Sequence, residues 1–126
     1  MIYLLDVSTL LAWLWSEHEH HHRVMRWQKG QSLAICPITE LGFLRISTQP
    51  VFGATMYEAH EMLAVWHGKV QPKYVPCDLR VLSSAVAPVS GKTTDFYLAS
   101  LAEKHGMRWA TLDEGRGHRA TFLLPV

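Results

Sequence analysis

The sequence predicts an α/β fold, a three-layer α/β/α sandwich built on a parallel sheet. Two observations carry this expectation. Short apolar runs of strand length alternate with longer runs of helical character, and strands alternating with helices form parallel sheets covered on both faces. The first of those runs, in MIYLLD, is continuously apolar, as a strand buried on both faces must be. At 126 residues the chain has room for one core, so residues 1–126 are read as a single domain.

The elements follow in order. MIYLLD is a strand ending in a carboxylate, and VSTLLAWLW continues after a tight turn as a helix. Ser16 with Glu19 has capping-box spacing, which predicts a second helix from about residue 17 to Gly30. SLAIC is a short buried strand, and Pro37 suits the first position of the helix PITELGFLRIS. Thr55 and Glu58 repeat the capping-box spacing before MYEAHEMLAVWHG, a helix expected to stop at Gly68. KYVPC reads as a brief strand whose proline places it at the sheet edge, and DLRVLSSAVA as a short helix capped by Asp78. TTDFYLASLAEKHG has a threonine cap, an acid in its first turn, Lys104 and His105 in its last and Gly106 as its stop. MRWATLD and TFLLPV supply the last two strands.

Composition excludes several classes. Twelve Lys/Arg nearly balance eleven Asp/Glu, so nucleic-acid contact has to rest on local basic patches. The first apolar run is too short for a signal peptide and no run reaches the length of a membrane helix, so the expectation is a soluble, cytoplasmic protein. Cys36 and Cys77 make no disulfide framework and are expected as free thiols. No GxGxxG or Walker loop follows the first strand, which argues against a dinucleotide or P-loop site.

Residues 18–22, HEHHH, match HExxH, the spacing that puts two imidazoles and a basic glutamate on one helix face of a zinc protease. A zinc hydrolase using His18, Glu19 and His22 is therefore one alternative. On a helix, however, His18, His22, Met25 and Lys29 share a solvated stripe beside Arg26, while Val24 and Trp27 lie on the stripe suited to burial. Cations repel a metal, and no third ligand is evident. The solvated histidine-rich helix is the favoured reading.

Carboxylates offer different chemistry. Asp6 ends the first strand and Asp113 follows the strand MRWATL, while Asp95 and Glu40 lie in the first turns of helices that start from the same sheet edge. Singly, Asp6 and Asp113 read as turn formers, and Asp95 and Glu40 as helix-dipole complements. Four acids converging on one edge are different, because their repulsion has to be relieved by protonation or by a cation. Oxygen donors suit hard divalent ions, Mg²⁺ with Mn²⁺ as a substitute.

LLDVSTLLAW, CPITELGFLRIST, TTDFYLASLAEKHG and RWATLDEG, in that order and spacing, resemble the PIN-domain ribonucleases, and among them the VapC-type toxins of type II toxin–antitoxin systems. The resemblance spans essentially the whole chain. It implies a five-stranded parallel sheet in the order 3-2-1-4-5. It implies Mg²⁺- or Mn²⁺-dependent endonucleolytic cleavage of RNA, a homodimer, and neutralisation by a VapB-type antitoxin. The family's catalytic acids fall on Asp6, Glu40, Asp95 and Asp113, of which Asp6, Asp95 and Asp113 would hold the metal. The family usually has asparagine where this chain has Ser8, whose hydroxyl bonds a carboxylate at shorter reach. Thr111 matches the family's hydroxyl, although strand propensity explains it equally. A catalytically silent PIN module that binds RNA or protein is a further alternative, suggested by Ser8. Arg45, Lys92, Arg116 and Arg119 are candidates for gripping the RNA backbone, each with the plainer reading of a surface charge. Trp13 and Trp15 lie on a helix apolar almost all round, which predicts contact with a second chain.

Overall fold

The computed structural model describes residues 1–114 and 117–126. Among them the strands β1 (Ile2–Leu5), β2 (Ser32–Ile35), β3 (Lys73–Tyr74), β4 (Arg108–Thr111) and β5 (Thr121–Leu123) form one parallel sheet in the order β3-β2-β1-β4-β5. Leu4 of the central strand pairs with Ala34 on one side and Trp109 on the other. Every strand therefore ends at the same edge.

The helices are α1 (Val7–Leu14), α2 (His21–Gln28), α3 (Pro37–Ser47), α4 (Met56–Val70) and α5 (Thr93–Lys104). Alternation along the strands divides the core in two. Leu5, Leu33, Ile35 and Ala110 face Leu10, Val24, Trp27, Phe43, Leu63 and Trp66 from α1 to α4. Leu4, Ala34, Cys36 and Trp109 face Leu98, Leu101 and Ala102 of α5. The three layers are thus four helices, the sheet and one helix. Buried threonines tie helix starts to strands, with Thr9 Oγ1 donating to the Ala110 carbonyl (3.0 Å) and Thr39 Oγ1 to that of Leu5 (2.8 Å).

Several elements depart from their predicted bounds. The second helix starts at His21 rather than near residue 17, and the Ser16–Glu19 capping box does not form. Residues 16–20 form turns instead, because the chain reverses after α1: His18 N–H donates to the Trp15 carbonyl and His21 Nδ1 bonds that of Ala12 in α1. The Thr55–Glu58 capping box does form, but α4 runs through Gly68 to Val70, where Gln71 takes the left-handed conformation (φ 49°). A buried stripe of Ala59, Leu63 and Trp66 holds the glycine in the helix. The stretch from Asp78 forms only a 3₁₀ turn at Val81–Ser83, and Lys92, not a threonine, occupies the cap position of α5. Asp78 caps nothing downstream. It accepts from His105 Nε2 (2.8 Å) and pairs with Lys104, at the C-terminal end of α5. Cys36 is a buried and Cys77 an exposed free thiol. Among the described residues, no helix is long and apolar enough to cross a membrane.

Candidate active site

Asp6 sits where β1 turns into α1, as the cap of that helix. One carboxylate oxygen accepts from Val7 N–H (2.8 Å), and the other from Ser8 Oγ (3.0 Å) and Thr111 Oγ1 (2.7 Å). Ser8 therefore reaches the carboxylate despite its short side chain. Thr111 in turn accepts from Asp113 N–H (3.1 Å), and Ser8 from Leu112 N–H (3.4 Å). Two hydroxyls thus join the end of β1 to the end of β4.

α5 runs back from the same edge and brings Asp95 in its first turn. Carboxylate oxygens of Asp6, Asp95 and Asp113 all lie within 4.8 Å of one another. The electrostatics follow from this crowding. Burial pushes the Asp6 carboxyl up to about 7; the Thr111 hydrogen bond opposes this, and the charges of Asp113 and Asp95 add to it. Asp95 is raised by burial and by Asp113, while Lys92, with its Nζ 3.6 Å away, pulls it down. Three carboxylates in contact range, with Asp6 and Asp95 raised by burial and by their neighbours' charge, match a hard divalent cation, which would relieve both burial and repulsion.

Glu40 stands apart from this trio. It occupies the first turn of α3, at the same edge, but is not one of the three clustered acids; its Oε2 instead meets His67 Nε2 of α4 at 2.6 Å. His67 escaped the sequence reading because a histidine in the last turn of a helix reads as a dipole complement.

The basic candidates separate. Lys92 lies at the acidic edge beside Asp95. Arg45 is exposed in the last turn of α3, about 7.5 Å of helix beyond Glu40 and so away from that edge. Arg119 precedes β5 at the opposite edge, where Glu103 holds its guanidinium through two contacts (2.5 and 2.9 Å). That placement corrects the expectation that it lies beside the acids. Arg116 lies outside the described residues.

The HExxH match does not build a metal site. His18 falls in the turns before α2, with its Nδ1 accepting the His20 N–H (3.1 Å), while His22 lies in the first turn of the helix. The two imidazoles therefore do not share a helix face. Among the described residues, Asp6, Asp95 and Asp113 are the group with metal-ligand proximity.

The family model of the PIN domain matches residues 3–121. Ribonuclease VapC38 of Mycobacterium tuberculosis (strain ATCC 25618 / H37Rv) is 32% identical over 120 residues, covering 89% of this chain and 85% of that protein. Ribonuclease VapC44 of M. tuberculosis (strain CDC 1551 / Oshkosh) is 35% identical over 121 residues, covering 88% and 85%. A solved structure described as VapBC2 from Rickettsia felis bound to a DNA fragment from their promoter matches with TM-score 0.60 at 12% identity, covering 90% of this chain and 88% of that one. At that identity it speaks for the fold alone.

Proposed function

The chain belongs to the PIN-domain family, among the VapC-type ribonucleases, and from that premise we propose that it is a metal-dependent endoribonuclease toxin neutralised by a VapB-type antitoxin. The observation that carries the metal-dependent part is the convergence of Asp6, Asp95 and Asp113 within 4.8 Å. These three would hold Mg²⁺, with Mn²⁺ as a substitute. When bound, such an ion neutralises a phosphodiester and lowers the pKa of water.

The chain's own groups do the rest. Val7 N–H, Ser8 and Thr111 fix both oxygens of Asp6, so the ligand set needs little reordering. Glu40, beyond the trio, is assigned to orienting the attacking water and accepting its proton. Lys92 is positioned to exchange Asp95 for a substrate phosphate, a contact that holds RNA without reading its sequence. A groove between the end of α1 and α4, lined by Trp13, Trp15, Met62, Val65 and Trp66, offers apolar surface to a second chain, a copy of itself or the antitoxin. A toxin that cleaves the RNA of its own cell would act in the cytoplasm.

Incubating the purified protein with cellular RNA tests the proposal. Cleavage that appears with Mn²⁺, disappears with a chelator and returns on adding Mn²⁺ is the expected result. Activity that survives chelation, or returns only with zinc, defeats it.

A further inference from the structure

Glu40 is held by a residue that the nuclease reading does not use. The His67 ring is held by two contacts. It stands edge-on to the buried Trp66 (centroids 5.2 Å apart, 88° between planes), and its Nε2 meets Glu40 Oε2 at 2.6 Å. Both side chains of the pair are largely shielded, Glu40 being 20% and His67 33% exposed. An ionised carboxylate only accepts, so Nε2 carries the proton of this bond. A mobile surface histidine would make such a contact by chance; one held between its aromatic neighbour and its acceptor is pre-organised.

We propose that His67 is the positioning residue of Glu40: its Nε2–H anchors one carboxylate oxygen so that Glu40 is held at the acidic edge, outside the three-aspartate cluster, rather than joining it as a fourth ligand. The inference rests on the proposed nuclease function and deepens it. The aspartates crowd one point and would gain little from a fourth anion. A glutamate held one step away is free to accept a proton from water, and a single fixed oxygen leaves the other available for that task. His67 touches neither metal nor substrate and acts only through Glu40. The orienting bond is the type whose removal lowers activity by about 10- to 100-fold without removing any ligand.

The experiment compares His67→Ala, His67→Leu, His67→Gln, Glu40→Gln and the Glu40→Gln/His67→Ala pair, using Mn²⁺ and a defined RNA that the wild type cleaves. Mn²⁺ affinity is measured separately on the metal-free proteins. His67→Ala should lower kcat by about 10- to 100-fold, with KM for RNA and the Mn²⁺ dissociation constant each within about twofold. His67→Gln, which can donate to the same oxygen, should recover most of the rate. The double variant should be no slower than Glu40→Gln alone, because the histidine has nothing left to position. His67→Leu packs against Trp66 without donating and should match His67→Ala, so a folding defect in the alanine variant does not remove the test. A kcat within twofold of wild type in His67→Ala and His67→Leu overturns the inference. So does a further loss in the double variant, or a tenfold weakening of Mn²⁺ binding in His67→Ala. A wild type that cleaves no RNA with Mn²⁺ defeats the nuclease reading itself, and this inference with it.

Discussion

Asp6 is stabilised by three hydrogen bonds and still resists ionisation, because burial outweighs them. Its carboxyl is raised from 3.8 to about 7. The native metal-free protein therefore keeps a proton between those values that the unfolded chain gives up. Stability from this group is complete below about pH 4, falls as pH rises through 7, and is lost above it. A change of that size corresponds to an upper bound on the order of 4 kcal/mol. Asp6→Asn removes the charge while keeping an acceptor for Val7 N–H, and the Ser8 and Thr111 hydroxyls can rotate to accept from the new amide. We expect this variant to be more stable than wild type by about 1–3 kcal/mol near pH 8, with the gap closing towards pH 4. Chemical denaturation of both proteins without metal at several pH values checks it, and a gap that widens on acidification contradicts the assignment. Thr111→Val removes the shortest donor to Asp6 and should weaken Mn²⁺ binding by about tenfold, measurable by calorimetry. At this scale the positions of the acids were legible, since each ends a strand or opens a helix at one edge. It did not reveal His67, because the contact with Glu40 joins residues 27 positions apart on different helices.

Helix packing around the site depends on two glycines with opposite requirements. A methyl at Gly42 of α3 would lie 2.6 Å from Val7 Cγ2 in the first turn of α1, the residue whose N–H holds Asp6. A β-branched side chain in a helix cannot rotate aside freely, so the helices must separate. Gly42→Ala should destabilise by about 1–3 kcal/mol and loosen the Asp6 turn. A methyl at Gly68 of α4 meets nothing within 4 Å, and Gly68→Ala should stabilise by about 0.5–1 kcal/mol. Thermal unfolding of the two variants is the check; equal signs would mean that the α1–α3 contact is not the tight one. The same glycines show what element-level reading can and cannot do. Gly68 looked like a helix stop because local propensity cannot see the buried Trp66 stripe that carries α4 past it. Ser16 and Glu19 looked like a helix start because the capping-box spacing says nothing of the chain reversal after α1. Where local signal and tertiary demand agree, as at Pro37, Thr55 and Gly106, the bounds were legible.

At the scale of the whole molecule, the parallel sheet gathers the ends of β1 and β4 with the starts of α3 and α5 at one edge, and this collects the acids from residues 6 to 113. Strand alternation was readable from the sequence. Strand order came from the resemblance, because crossover choices leave no local trace. An edge with this much negative charge attracts a guanidinium as well as a metal, since an arginine can bridge two carboxylates. An antitoxin arginine placed there would make Mn²⁺ and antitoxin compete. Titrating the toxin–antitoxin complex with Mn²⁺ at constant ionic strength should weaken antitoxin binding; affinity indifferent to Mn²⁺ would assign inhibition to another surface. The central claim is that the three aspartates hold the ion on which RNA cleavage depends. Its most direct test is Asp95→Asn, measured for Mn²⁺ binding and for cleavage on one preparation. The account predicts a folded protein with weakened Mn²⁺ binding and cleavage lowered by about a hundredfold or more. Asp95→Asn that binds Mn²⁺ and cleaves RNA as the wild type does would contradict it.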